Sequence, residues 1–258
     1  MAEIDNDQIA ARIFLYSALP LTKVVAEDKP LFRKLFPKKG VVQFCAKGSD
    51  IAAHMIFDDG ALDVKKGFHE KPDLTLSFPT LAKMNGFFAG KTVLPRPKGL
   101  RHLHLLFRIL PLLLTLKLLL PSALPKDTAK KTLKVKLVLY MITNALSQLN
   151  KAGDPQMTKV TKTSPDRIFQ WTVENGGPAA YLRMKGGRTK AGRGTYERRR
   201  PFVHMLFPDI DGAMKVLTSQ APLVDAVRLG WVRTEGAMEY SKEIGLQMQR
   251  IEEITTSY

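Results

Sequence analysis

The chain has 258 residues, 45% hydrophobic and 25% charged, which excludes a disordered or collagen-like polymer and allows one large or two small domains. Its net charge of +16 suits polyanionic partners such as nucleic acid or an anionic membrane face, and excludes nothing about fold. A single cysteine, Cys45, excludes an intrachain disulfide and fits a reducing, cytoplasmic setting.

The first stretch, MAEIDNDQIAARIF, begins acidic and lacks the charged-then-apolar pattern of a secretory leader. An apolar helix, IAARIFLYSAL, is expected first. Period-two runs follow: Val41, Val42 and Phe44, then Ile51, Ala53, Met55 and Phe57, with Asp59-Gly60 as a turn. Leu74, Leu76 and Phe78 alternate again until Pro79 stops the strand. Thr80 stands where a helix N-cap would, ahead of LAKMNGFFAGK. Residues 100–125 read as a helix that is apolar nearly all round. Arg101, His102, His104, Arg108, Lys117 and Pro111 interrupt it, so a partly buried helix kinked at Pro111 fits better than a membrane span of about 20 uninterrupted residues. Its surplus apolar surface must meet the other half of the chain, a ligand or a bilayer.

The second half repeats this order. At one offset Gln43 meets Gln170, Phe44 meets Trp171, Gly60 meets Gly187, Gly67 meets Gly194 and Glu70 meets Glu197. After two extra residues Pro72 meets Pro201 and Phe78-Pro79 meets Phe207-Pro208, and further on Gly99 meets Gly236. The apolar helix KKTLKVKLVLYMITNALSQL precedes these strands, and Asp209 caps DIDGAMKVLTSQ as Thr80 caps its counterpart. Helix, closely spaced strands, helix, helix is an α+β order with a mainly antiparallel sheet. The boundary is expected in the proline-bearing stretch Pro121–Asp127, giving units 1–125 and 126–258.

The segment KPDLTLSFPTLAKMNGFFAGK is similar to the central stretch of sterol-carrier-protein-2-like domains. Pro72-Asp73-Leu74-Thr75-Leu76 fills the family's strand pattern, Thr80 its capping position, Phe87-Phe88-Ala89-Gly90-Lys91 its helix end, and Gly99 the start of its last element. The second copy departs from the pattern, with Phe202-Val203-His204 for Asp73-Leu74-Thr75 and Ser219-Gln220 for Gly90-Lys91. The resemblance implies two twisted sheets covered by helices, each with an apolar tunnel. It implies non-catalytic binding or transfer of a fatty acyl chain, sterol or similar lipid.

Lipid sites are mostly apolar, so the candidate wall in the first copy is Phe87, Phe88, Leu103, Leu106, Phe107 and Leu110. In the second it is Val216, Leu217, Met238 and Met248. The residues offer little to catalysis or cofactors. His102-x-His104 does not share a helix face, and no Cys-x-x-Cys, Gly-x-Ser-x-Gly or phosphate-binding loop is present. Cys45 falls in a strand pattern as a small apolar filler. Were the chain an enzyme on a lipid-like substrate, His54 or His69 would be the candidate base. The run 184–201 carries Lys185, Arg188, Lys190, Arg193, Arg198, Arg199 and Arg200 against one acid, Glu197. It reads as an exposed basic hairpin suited to anionic lipid headgroups. Its one aromatic ring, Tyr196, offers little for stacking on nucleic acid.

Overall fold

The structure is a computed structural model that describes residues 5–35 and 39–258. The chain divides into two compact units, one of residues 1–117 with 253–258, the other of residues 118–252. The division falls before the proline-bearing stretch, at 117/118, and the last six residues join the first unit.

In the first unit, α1 (Asn6–Ile13) and α2 (Leu21–Asp28) flank a π-helical stretch, Phe14–Ala18. Asp5 caps α1 by accepting from the Asp7 N–H at 2.8 Å. Strands β1 (Gly40–Ala46), β2 (Ala52–Asp58), β3 (Ala61–Lys66) and β4 (Leu74–Phe78) follow. Next come α3 (Leu81–Phe88), the short strand β5 (Arg96–Lys98) and α4 (Leu103–Thr115). The sheet order is β3-β2-β1-β4-β5, and every neighbouring pair is antiparallel except β1 and β4. The fold class is α+β with a mainly antiparallel sheet.

The parallel β1–β4 pair was not expected from strand spacing, since no helix makes the crossover. The β2–β3 hairpin carries the chain out, and residues 67–73 bring it back. Side chains hold that return. Gln43 Oε1 accepts the His69 N–H at 2.7 Å, and the Asp73 carboxylate accepts the Val41 N–H at 2.8 Å. Register then places Val42 and Phe44 beside Leu74 and Leu76, on the same face as Met55 and Ala53. All six are buried, and full burial of each larger side chain contributes about 1.5–3 kcal/mol.

The second unit opens on α5 (Thr128–Lys151) and α6 (Pro155–Lys162), capped by Asp127 and Asp154. Strands β6 (Arg167–Val173), β7 (Ala179–Lys185), β8 (Arg188–Arg193) and β9 (Val203–Phe207) lead to α7 (Ile210–Leu217) and α8 (Leu223–Arg228). Strand β10 (Arg233–Gly236) and α9 (Ser241–Thr256) close the chain. Its sheet runs β8-β7-β6-β9-β10, the same order, again with one parallel pair, β6 and β9. The matched hydrogen bonds extend to loops. Gly67 and Gly194 donate to Ala52 O and Ala179 O, both at 2.7 Å, and Gln170 Oε1 accepts the Tyr196 N–H as Gln43 accepts His69.

Lys134 on α5 is 1% exposed and donates its ammonium to Leu120 O at 2.7 Å and Ala123 O at 2.6 Å. Burial lowers its pKa. These bonds tie residues 120–123 to α5, which is why the linking stretch belongs to the second unit.

Gly99 and Gly236 occupy equivalent places, with φ of 92° and 88°. A Cβ at either would collide with the carbonyl oxygen of Asp73 or Phe202. Only glycine meets both demands. Gly99→Ala and Gly236→Ala should each cost about 1–3 kcal/mol or more in chemical denaturation, whereas Gly245→Ala, on an α9 position with open space, should not destabilise.

Candidate functional site

Along each strand of the second sheet, side chains alternate between two faces. Phe169 and Trp171 share one face with Val203, Met205 and Phe207, by the parallel register of β6 and β9. Over this face lies a cavity of about 450 Å³. Its floor is Phe169, Trp171, Val203 and Met205. Val216 at the end of α7, the loop 219–223, and Ser241, Ile244, Gly245 and Met248 of α9 complete it. The size falls within the roughly 300–1,000 Å³ usual for small-molecule sites. Met205 stays half-buried while its neighbour Val203 is buried, because Met205 faces open space.

The first unit fills the matched region with rings. The turn after α3, with Gly90 N–H donating to Phe87 O, matches the turn after α7, with Ser219 N–H donating to Val216 O. Phe87 and Phe88 thus stand where the second unit has Val216 and Leu217. Phe88 packs on Phe14 at 5.9 Å and on Phe44 at 5.7 Å, and Phe87 on Phe78 at 5.3 Å between ring centres. The smaller Val216 lines open space over β6 and β9, where the first unit has the ring of Phe87 against Phe78 and Phe88.

Val216 and Met248 therefore stand in the wall. Leu217 is half-buried outside it, and Met238 is exposed beside Val227 and Val232. Phe87 and Phe88 belong to the packed cluster. Helix α4 buries Leu105, Ile109 and Leu112, whereas Leu103 and Leu106 are half-buried and Phe107 and Leu110 are exposed. With leucine on both faces, periodicity did not show which face the core takes. The wall residues Trp171, Met205 and Ile244 were missed. For Trp171 the signal was its match to Phe44, and for Met205 its alternation with Val203 and Phe207.

The opposite face of each sheet is polar. His54 lies there in the first, its Nδ1 2.9 Å from Gly67 O and its ring 5.1 Å from that of His69. Neither histidine faces the apolar side, so neither is placed to act on a ligand there. Burial raises the pKa of the Cys45 thiol, on the same polar face. In the second sheet His204 Nε2 stands 2.9 Å from Thr172 Oγ1 and 3.4 Å from Gln170 Nε2. Among the described residues no group of three His, Cys, Asp or Glu side chains could hold a metal ion.

The basic run spans the end of β7, the turn at Gly186-Gly187, edge strand β8 and the segment before β9, and all seven basic residues are exposed. Arg199 and Arg193 have partners within the unit. Arg199 bonds Asp166, which Arg183 also holds at 2.6 and 2.7 Å, and the Arg193 guanidinium lies 5.2 Å from the Tyr140 ring. The Arg183 hydrogen bonds keep the Asp166 pKa below the usual carboxylate range. Tyr196 packs against Tyr181 at 5.0 Å.

No family model matches the chain, and no curated protein does. Among solved structures it is similar to the sec-alkylsulfatase Pisa1 from Pseudomonas sp., at 15% identity and a TM-score of 0.26. A double mutant of the same sulfatase matches at 14% and 0.27. Both matches cover 57% of this chain and 28% of the sulfatase chain. Likeness at this level assigns neither fold nor activity.

His204 generates a pH prediction. Burial lowers its pKa below the ordinary 6.5, against the pull of Glu235. Protonation therefore favours the unfolded chain, and stability is lost as the pH falls through 6.5 toward the folded-state value. Denaturant melts at pH 7.5 and pH 5 should show this loss, and His204→Gln should shrink it.

Proposed function

We propose that this protein binds or carries a hydrophobic ligand, a fatty acyl chain, sterol or similar lipid, in the cavity of the second unit, without chemistry on it. The observation that carries the reading is the open apolar wall beside Trp171, where the first unit is filled by Phe87 and Phe88. The matched strand orders and glycines support two copies of one sterol-carrier-protein-2-like fold. The wall serines Ser219 and Ser241 form no hydrogen bond to a histidine or carboxylate among the described residues, which favours binding over nucleophilic catalysis. A nucleic-acid role draws no support from Tyr196, whose ring is already packed.

A fluorescent long-chain fatty acid should bind saturably and be displaced by unlabelled lipid. Val216→Phe restores the ring that the first unit carries, and should abolish binding while leaving the unfolding free energy within about 1–3 kcal/mol of the parent. Unchanged binding in that variant, or no saturable binding in the parent, would remove the cavity from the reading.

Contact with an anionic membrane surface belongs to the same proposal. Residues Leu100–Leu119 have a mean hydropathy of 1.6 yet are only 17% buried. Phe107, Leu110 and Leu114 form an exposed stripe on α4, opposite its buried face. From Leu74 to Lys126 the sequence has no Asp or Glu and eight Lys or Arg. An apolar stripe amid unopposed positive charge suits the headgroup region of an anionic bilayer, where each basic residue contributes about 1 kcal/mol. The protein should sediment with phosphatidylserine-containing vesicles more than with phosphatidylcholine ones. Joint Phe107→Ser, Leu110→Ser and Leu114→Ser should reduce that binding at least several-fold. If instead joint Arg188→Gln, Lys190→Gln, Arg198→Gln and Arg200→Gln reduces it and the α4 variant does not, the basic strand is the contact and α4 is not.

A further inference from the structure

The second sheet carries a cation without an acid on its apolar face. By the alternation of β6, Arg167 stands on the same face as Phe169 and Trp171. Its guanidinium carbon lies 4.4 Å from the centre of the Phe202 ring and 4.3 Å from that of Tyr240. Those rings are 5.0 Å from each other, too close to flank the guanidinium on both faces, so its other side is clear of them. The neighbouring acid, Asp166, is bonded to Arg183 and Arg199 instead. Among the described residues nothing bonds Arg167. Its Nε is buried without a partner, while its terminal nitrogens and the Tyr240 hydroxyl reach solvent unbonded.

The first unit shows that the shared scaffold does not require this cluster. At the matched positions it has Gly40, Asp73 and Leu103. A Cβ at Gly40 would meet the Leu105 side chain at 3.1 Å, and Asp73 accepts the Val41 N–H. Packing and one backbone bond close that strand end. In the second unit the same three places hold a guanidinium, a ring and a phenol. The rings stabilise the cation through their faces but accept none of its hydrogens in the way an oxygen does. An arginine fork pairs in its own plane with two oxygens of one anion, and a phenol hydroxyl can donate to a third. A carboxylate has two oxygens to offer, and a phosphate group has enough for all.

We infer that Arg167 and the Tyr240 hydroxyl form a binding site for a phosphate group, with the Phe202 and Tyr240 rings holding the guanidinium in place. None of the three residues lines the cavity. The site is therefore a separate one, and it stands whether or not the cavity takes a lipid. A free phosphate and the phosphate head of an amphiphile present the same oxygens to it.

The test is phosphorus NMR of the full chain at low salt, with inorganic phosphate and hexyl phosphate as probes. The probe resonance should shift saturably. Arg167→Gln should weaken binding at least tenfold and Tyr240→Phe several-fold, whereas Arg188→Gln, on the exposed strand β8, should leave it unchanged. This pattern with both probes supports the site for phosphate itself, and with hexyl phosphate alone it supports the site for an amphiphile's head. Tyr240→Phe keeps the ring, so it decides the matter should Arg167→Gln fail to fold. Equal weakening in all three variants overturns the site in favour of diffuse surface charge. Unchanged binding in both Arg167→Gln and Tyr240→Phe, or no saturable shift of either probe, overturns it outright. Fatty-acid displacement from the cavity is a separate measurement, so failure here leaves that reading in place.

Discussion

The parallel pairing of the first and fourth strands is the constraint on which each unit depends. Antiparallel neighbours need only a tight turn, but a parallel pair needs the chain to travel back along the sheet. Here a hairpin makes the outward trip, and a short return segment hangs from a glutamine side chain, Gln43 or Gln170, joined in the first unit by Asp73. Once the fourth strand is beside the first, the next helix must start at the far end of the sheet, at Thr80 or Asp209. Its last turn then arrives over the apolar face, and the residues at that turn decide whether the face is filled or open.

That decision is a matter of side-chain volume. Interiors are packed closely enough that replacing a ring by a branched aliphatic side chain leaves space unless neighbours collapse into it. In the second unit the floor of β6 and β9 is held by strand pairing, and its part of α9 is held by the buried residues Ile244 and Ile251. Rigid walls on both sides keep the gap at Val216 from closing.

Much of the scaffold was legible in the sequence because periodicity reports burial. Leu74, Leu76 and Phe78 alternate, and all three point into the core. Thr80 and Asp209 cap helices by accepting from Lys83 and Gly212. The short edge strands escaped notice, since Arg-Pro-Lys and Arg-Thr-Glu-Gly bury nothing and pair only through backbone. The parallel pair escaped because its hydrogen bonds use peptide groups and a glutamine, neither of which carries a pattern. The site was half legible. Large aromatic residues near a helix end suggest a ligand pocket as readily as a packed core, so Phe87 and Phe88 drew attention that the smaller Val216 deserved more.

The first unit is made from both ends of the chain. Its N-terminal helix meets the C-terminal residue, where the Tyr258 hydroxyl donates to the Asp7 carboxylate at 2.6 Å. The second unit is a single uninterrupted run between them. A ribosome therefore releases every residue of the cavity-bearing unit before the last piece of its partner emerges. During synthesis the helix beginning at Asn6 waits through more than two hundred residues for the tyrosine that completes its surroundings.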